Sequence, residues 1–192
     1  MGELTKELLR SQVLTSRAIR LSEGPKFAAA NFTQHDWVEL VTGTVTTCYV
    51  STDSEPNTDA IRKIFQTNGI TTYLPIMQPH RGLSWGLDGE DLTENAFGIF
   101  EPSEMEFNLE NADALIIPAL AAGRDGSRLG RGAGYYDRFL EKIPNFINGG
   151  PLRITLVFDD ELFESVPHEL HDQHVDVVVT PTEIIRVNEP LH

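Results

Sequence analysis

Between Arg128 and Arg138 the chain reads RLGRGAGYYDR, so three arginines, three glycines, a tyrosine pair and a carboxylate share eleven consecutive residues. Gly130, Gly132 and Gly134 fall at every second position, where they allow positive φ and let backbone N–H groups approach an anion with no Cβ in the way. Arg128 and Arg131 add positive charge at the same place. The composition suits phosphate. It matches neither common phosphate signature: a Walker A loop ends in Gly-Lys-Ser/Thr, and the dinucleotide fingerprint is G-x-G-x-x-G, whereas this loop is G-x-G-x-G. A plain surface turn would account for the glycines but does not require Arg-x-x-Arg followed by Tyr-Tyr-Asp. Glycine spacing alone leaves the nucleotide open.

Such a loop needs elements to hold it. Asp113 to Leu120 (DALIIPAL) predicts a buried parallel strand and Tyr135 to Lys142 (YYDRFLEK) a helix, giving strand, loop, helix. In open α/β sheets ligands sit beyond the carboxyl ends of the strands, and a helix N-terminus favours negative charge. Glu3 to Leu21 reads as an amphipathic helix with Leu4, Leu8, Val13 and Ile19 on its apolar side. Its Lys6, Arg10, Arg17 and Arg20 read, on charge alone, as a solvated face. A second helix is predicted over Phe27 to Val41, a strand over Thr44 to Ser51, and a helix over Asp59 to Thr67 that ends at Asn68-Gly69. Thr52 to Thr58 (TDSEPNT) is the turn between that strand and helix, so Glu55 sits in a strand-to-helix loop. Ile70 to Ile76 is a further strand, with Pro75 and Pro79 as breakers, followed by extended pieces at Leu83 to Leu87 and Phe97 to Phe100. Strands at Ile154 to Phe158 and Val175 to Thr180 and an extended piece at Glu183 to Val187 complete an α/β pattern with a mostly parallel sheet.

Other clusters are weaker. His168, Glu169, His171, Asp172, His174 and Asp176 crowd nine residues, but H-E-x-H is not the H-E-x-x-H that puts two imidazoles on one helix face. A polar loop offering Asp172 or Asp176 to magnesium fits better than a zinc centre. Ser127 lies in no G-x-S-x-G elbow, and Cys48 falls within a strand, so nucleophilic hydrolysis has no support. Trp85, Phe97, Phe100, Tyr135 and Tyr136 are candidates for the wall of a heterocycle pocket, although aromatics are more often plain core.

A chain of 192 residues with 40% hydrophobic and 23% charged residues fits one domain over 1–192. The net charge of −14 argues against nucleic acid, while Arg124, Arg128, Arg131 and Arg138 could still set up a local positive field. The first residues, MGELTKELLRSQ, have neither the apolar core of a secretory signal nor that of a membrane span. Gly2 lacks the Ser or Thr that myristoylation needs at position six, and the lone Cys48 excludes an intramolecular disulfide. The expectation is a cytoplasmic monomer with small-molecule partners, no nucleic acid and no membrane.

DALIIPALAAGRDGSRLGRGAGYYDRFL resembles the hallmark segment of the 5-formyltetrahydrofolate cyclo-ligase family, also called 5,10-methenyltetrahydrofolate synthetases. The likeness extends to Lys6-x-x-x-Arg10, to VSTDSEPNT at Val50 to Thr58, and to VPHELHDQHVDVVVT at Val166 to Thr180. The resemblance implies a three-layer α/β sandwich similar to ribose-phosphate isomerase and CoA-transferase domains. It also implies an enzyme that uses ATP as co-substrate and Mg²⁺ to convert 5-formyltetrahydrofolate to 5,10-methenyltetrahydrofolate, ADP and phosphate. Carried onto this chain, Lys6, Arg10, Arg128 and Arg131 would be catalytic. ATP would meet Lys6, Arg10, Arg128, Leu129, Gly130, Arg131, Gly132, Ala133, Gly134, Tyr135 and Tyr136. Folate would meet Val50, Glu55 and the shared residues Arg131, Gly132, Ala133, Gly134 and Tyr135; Asp137 and Asp172 would serve the metal. Arg128→Ala is expected to weaken ATP use without unfolding the chain. Two alternatives share the fold or the loop: a sugar-phosphate isomerase or CoA-transferase relative, which would need a catalytic carboxylate and no ATP, and a nucleotide-binding module without turnover.

Overall fold

The computed structural model describes residues 4–23, 32–89, 91–96, 98–105 and 111–187. Glu3, Phe97 and the first five residues of the predicted Phe27 to Val41 helix lie outside them.

Among the described residues, seven strands form one sheet in the order β12-β11-β9-β6-β1-β2-β3. These are β1 (Val45–Thr47), β2 (Thr71–Gln78), β3 (Gly82–Leu87), β6 (Ala114–Pro118), β9 (Leu152–Leu156), β11 (Val177–Val179) and β12 (Ile184–Arg186). The five inner strands run parallel, and only β3 and β12 at the two edges run antiparallel to their neighbours. Alternation along each strand divides the core into two faces. Ala114, Ile116, Ile154 and Val177 pack with Trp37 and Leu40 of α2 (Trp37–Val41) and with Ile61 and Phe65 of α3 (Asp59–Thr67). Leu115, Ile117 and Val178 pack on the opposite face with Leu140 and Phe139 of α4 (Tyr135–Leu140). Helices on both faces of a mostly parallel sheet make the α/β sandwich.

A smaller sheet in the order β10-β7-β8, with β7 (Ala121–Gly123), β8 (Arg128–Leu129) and β10 (Leu162–Phe163), carries α1 (Lys6–Ser22). It packs Leu120, Ala121, Leu129 and Val166 against Leu9 and Val13. The pattern strand, loop, helix is therefore interrupted by a hairpin. Asp125-Gly126 is its turn, with Gly126 at φ +85°, and the D-G pair was the available hairpin signal. Arg128 and Leu129 are strand residues, and the glycine loop begins only at Gly130.

Three further local expectations change. The buried stripe of α1 is Leu9, Val13 and Arg17, while Leu4, Leu8 and Ile19 are exposed. A helix docks the face its partner can accept, and here that face includes an arginine. The predicted long second helix is a 3-10 turn at Phe32–Gln34 and the five residues of α2. Pro75 does not end its strand but pairs with Trp85 inside β2; β1 ends opposite Tyr73, so beyond that point β2 has a strand partner on one side only and tolerates proline. A β4–β5 hairpin (Leu92–Glu94, Phe100–Pro102) closes this end of the molecule.

Candidate functional site

A cavity of about 950 Å³ opens beyond the carboxyl ends of β1 and β6, the ligand position of open parallel sheets. Lys6 and Arg10 reach it from α1, and Val50 and Glu55 from the turn after β1. The unbroken run from Arg128 through Leu129, Gly130, Arg131, Gly132, Ala133, Gly134, Tyr135 and Tyr136 to Asp137 forms one wall, and Asp172 the rim near Lys6. Residues about 165 positions apart in the chain thus share one chamber, because α1 lies on the small sheet that leads into the glycine loop.

Helix α1 starts at Thr5, whose hydroxyl accepts from the Leu8 N–H, and the i, i+4 spacing puts Lys6 and Arg10 on one side of its first turns. Arg10 Nε donates to the Gly130 carbonyl at 3.0 Å, tying the helix to the loop. Lys6 Nζ lies 2.5 Å from Asp172 Oδ2 and 2.9 Å from Glu169 Oε1. Partial burial lowers the Lys6 pKa, but the hydrogen bonds it donates to Asp172 and Glu169 outweigh it and hold the ammonium above its ordinary value. Asp172 is the mirror case: burial pushes its carboxyl up, and the hydrogen bonds it accepts from Lys6 Nζ and from the Glu169 N–H bring it below the ordinary range.

The anchor of Lys6 and Arg10 is Arg17, on the same side of α1 two to three turns further along. It is 1% exposed, donates from Nε and Nη2 to the two oxygens of Glu161 at 2.8 Å, and donates to the Ala119 carbonyl at 2.9 Å. The solvated reading of this basic face therefore fails at Arg17, which is core, and Lys6 and Arg10 are turned to the cavity. Its sequence signal was weak: arginine at i+4 from Val13 extends the buried stripe, but nothing local marks Glu161 as its partner.

Within the loop, Gly132 (φ +99°) and Gly134 (φ +73°) use the conformational freedom of glycine, while Gly130 does not. Helix α4 has only six residues, so the charge at this wall comes from side chains more than from a helix dipole. Arg128 is 5% exposed, with Nη2 2.5 Å from Asp137 Oδ1 and Nη1 3.3 Å from the Pro118 carbonyl. Removing it takes away buried volume and the partner of Asp137, so Arg128→Ala is a structural change as well as the loss of a cation. Arg131 is half exposed and pairs with Glu55 Oε1 through Nε (3.2 Å) and Nη2 (3.1 Å). Glu55 is 8% exposed, and its Oε2 accepts from the N–H and the hydroxyl of Thr52, both at 2.9 Å. The Glu55–Arg131 pair joins the β1 turn to the glycine loop across the cavity.

Several candidates lie elsewhere. Arg124 pairs with Glu183 and contributes nothing to this wall, and carboxylates such as Glu7, Glu101 and Glu141 line the chamber among the cations, so no uniform positive field exists. Asp176 accepts from the Arg153 N–H, and burial raises its pKa; it organises β9 and β11. His168 and His174 stack edge-to-face at 5.2 Å, and Ser127 Oγ holds the Val166 N–H. Cys48 is fully buried, and burial pushes its thiol up to about 12. Trp85 packs on Tyr136 and Phe139 behind the wall, whereas Phe100, Tyr135 and Tyr136 line the cavity. Sequence reasoning missed Tyr49, Met77, Arg81 and Glu101, which reach the chamber from β-strand ends and turns with no motif to mark them.

For a divalent cation the residues to weigh are Asp137 and Asp172. Among the described residues no group of three or more His, Cys, Asp and Glu side chains gathers as a metal cage. Asp137 accepts from Arg128 and from the Gln173 N–H through Oδ1, and both carboxylates border the same cavity as the arginines. One or two carboxylates are the protein donor set magnesium takes when other oxygens complete its shell, so the residues fit that ion.

Fold and site together define a class: an α/β protein in which a glycine-arginine loop and a basic helix meet over the carboxyl ends of a parallel sheet. The chain belongs to the 5-formyltetrahydrofolate cyclo-ligase family, whose model matches residues 3–181. It is 34% identical over 197 residues to the 5-formyltetrahydrofolate cyclo-ligase of Mycolicibacterium smegmatis, with 94% of this chain and 96% of that one covered. To the Haemophilus influenzae cyclo-ligase it is 28% identical over 90% of this chain and 95% of that one. The NMR structure of Aquifex aeolicus 5,10-methenyltetrahydrofolate synthetase superimposes with a TM-score of 0.78 at 26% identity, covering 97% of this chain and 95% of that one. A Mycoplasma pneumoniae synthetase shares the fold with a TM-score of 0.63 at 18% identity, over 95% of this chain and 99% of that one. The family is one of ligases acting in folate metabolism.

Proposed function

We propose that this chain catalyses the ATP-dependent cyclisation of 5-formyltetrahydrofolate to 5,10-methenyltetrahydrofolate, forming a C–N bond and releasing ADP and phosphate. The observation that carries the reading is the Arg10 to Gly130 hydrogen bond, which brings Lys6, Arg10 and Arg128 to one side of a chamber whose other side is Glu55 and Val50. That is room for two substrates. ATP phosphates lie along the glycine loop, met by Lys6, Arg10, Arg128 and the loop N–H groups from Gly130 to Gly134. The pterin lies toward Val50 and Glu55, with Arg131 to Tyr135 between the two. The volume fits, since drug-sized ligands occupy cavities of roughly 300–1,000 Å³.

The chemistry needs charge stabilisation more than covalent help. The formyl oxygen attacks the γ-phosphorus, and the bond from phosphorus to the bridging oxygen breaks as ADP leaves. N10 then attacks the formyl carbon, the phosphorylated oxygen departs as phosphate, and N10 loses its proton as the methenyl bridge closes. Lys6, Arg10 and Arg128 face the charge that spreads over the transferring phosphoryl, and the loop aligns it with the formyl oxygen. Asp137 and Asp172 would hold Mg²⁺, which when bound neutralises phosphate charge and orients the ATP tail. Glu55 and Val50 line the pterin end of the chamber, and Thr52 and Arg131 hold the Glu55 carboxylate in place there. An isomerase or transferase carboxylate would need a reactive oxygen, whereas both oxygens of Glu55 are engaged. One domain suffices, since the wall draws on residues from 6 to 172.

The test mixes the protein with MgATP and 5-formyltetrahydrofolate and follows methenyl absorbance beside ADP. Equimolar methenyl product and ADP, both abolished by chelating magnesium, are expected. Product without ATP, or ADP without product, refutes the reading.

A further inference from the structure

Arg81 lines the cavity, is exposed, and has no hydrogen bond or ion pair among the described residues. Every other lysine or arginine that lines the cavity is held by a protein acceptor: Lys6 by Asp172 and Glu169, Arg10 and Arg138 by loop carbonyls, Arg128 by Asp137 and Arg131 by Glu55. Arg81 stands at the tip of the β2–β3 hairpin, where Pro79, His80 and Arg81 join the paired residues Gln78 and Gly82. His80 (φ +58°) and Arg81 (φ +62°) are both left-handed, a conformation that Asn and Gly adopt at least cost and that is uncommon for side chains of this size. Turn preference therefore does not select this pair, and strained backbone of this kind gathers at positions that hold ligands. In the sheet order β6-β1-β2-β3, β2 and β3 lie one and two strand spacings beyond β1, about 5 and 10 Å, on the side away from β6. The wall leading to Arg81 is apolar. Met77 and Leu83 oppose each other across the hairpin, and Ile99 and Phe100 add to them from the β4–β5 hairpin, which packs on β2 and β3. Glu101, the acid of this stretch, is engaged by the hairpins: its Oε2 accepts from the Met77 N–H and from Asn95, both at 3.1 Å.

We infer that Arg81 is a specificity-determining residue for the tail of the folate substrate, binding the carboxylates of its glutamate; the inference rests on the proposed function. A folate is a pterin joined through an aminobenzoyl ring to glutamate, so the order along the molecule is heterocycle, flat apolar ring, anion. With the pterin toward Val50 and Glu55, the chamber repeats that order toward the β2–β3 edge: the apolar strip of Met77, Leu83, Ile99 and Phe100, then a guanidinium with no protein partner. A guanidinium fork matches a carboxylate through two parallel N–H to oxygen bonds, and its exposure suits an anion that stays partly in water. The phosphate cations Lys6, Arg10 and Arg128 lie toward β6, so a tail held at Arg81 leaves them to the triphosphate.

The test compares 5-formyltetrahydrofolate with its diamide, in which both glutamate carboxylates are neutral amides of nearly the same size. In the unmodified protein the KM for the diamide should be about threefold to tenfold higher, between the worth of an exposed ion pair and that of a hydrogen bond to a charged group. Arg81→Asn removes the cation and keeps a residue that tolerates positive φ, so the variant is expected to fold with a Tm equal to or above that of the unmodified protein. It should raise the KM for the acid to near that for the diamide, with the KM for ATP unchanged. Arg81→Lys, which keeps the charge without the fork, should fall between the two. A folded Arg81→Asn that retains the preference for the acid, or that raises both KM values by the same factor, overturns the assignment. So does an unmodified protein that uses acid and diamide alike, a measurement that needs no variant. Failure of the unmodified protein to convert either compound overturns the proposed function as well, and is thereby told apart from failure of the Arg81 assignment alone.

Discussion

Replacing Arg17 by methionine tests the claim that α1, and with it Lys6 and Arg10, is fixed by a buried ion pair. The guanidinium and Glu161 are each 1% exposed and joined by two 2.8 Å hydrogen bonds, with a third contact to the Ala119 carbonyl. Removing one partner of such a pair strands a buried charge and costs about 3–5 kcal/mol. Glu161 keeps Arg20 at 3.5 Å and the Phe158 N–H at 3.1 Å, so the lower end, about 3 kcal/mol, is expected. At about 2–4 °C per kcal/mol for a chain of this size, Tm should fall by roughly 6–12 °C. The pair itself contributes less than its breakage suggests, since Arg17 Nη1 has no partner. Glu161→Leu should therefore cost a similar amount, and the double variant about 3 kcal/mol in place of the roughly 6 expected from additivity. Urea denaturation of the four proteins measures this coupling. Additivity within about 0.5 kcal/mol would refute the ion-pair reading, because independent sites add to that precision. Below its lowered Tm, Arg17→Met should also raise the KM for ATP, since the helix that carries Lys6 and Arg10 loses its deepest anchor.

Two shorter predictions concern the other contacts of the site. Asp172 has a depressed folded pKa, so its pairing with Lys6 is fully present above the unfolded carboxylate value near pH 4 and is lost as pH falls through the folded value; the raised Lys6 keeps its share below about pH 10.4 and loses it above. The Tm gap between the unmodified protein and Asp172→Asn should thus begin to narrow as pH falls below about 4; melts whose gap does not narrow at all between about pH 6 and pH 3 would exclude the pairing as its source. Gly132→Ala forces a side chain into φ +99°, with its Cβ 3.5 Å from Arg10 Cζ, at a local cost of about 1–3 kcal/mol. It should lower kcat/KM for ATP at least tenfold, and unchanged ATP kinetics would remove the loop's conformation from the proposed mechanism.

The fold was legible where local chemistry and tertiary context agree. The helix Asp59–Thr67, with its apolar residues at helical spacing, occupies the expected residues, and β6 and β11 fall within the expected strands, where continuous apolar runs mark burial on both faces. Legibility failed where a neighbour decides. Pro75 stays in a strand because β1 stops short, and the Leu9–Val13–Arg17 stripe replaces the more apolar Leu4–Leu8–Ile19 side because the small sheet and Glu161 lie beneath it.

By itself the sequence determined a phosphate-suited loop, the α/β alternation and a family likeness, because glycine spacing, apolar periodicity and charged side chains are written in consecutive residues. Only the tertiary structure decided which charges meet: that Lys6 faces Asp172, that Arg10 holds Gly130, that Arg131 reaches Glu55, and that Arg128 and Arg17 are buried while Arg124 stands apart. Ion pairing depends on separation in space and on exclusion of water, and chain packing sets both.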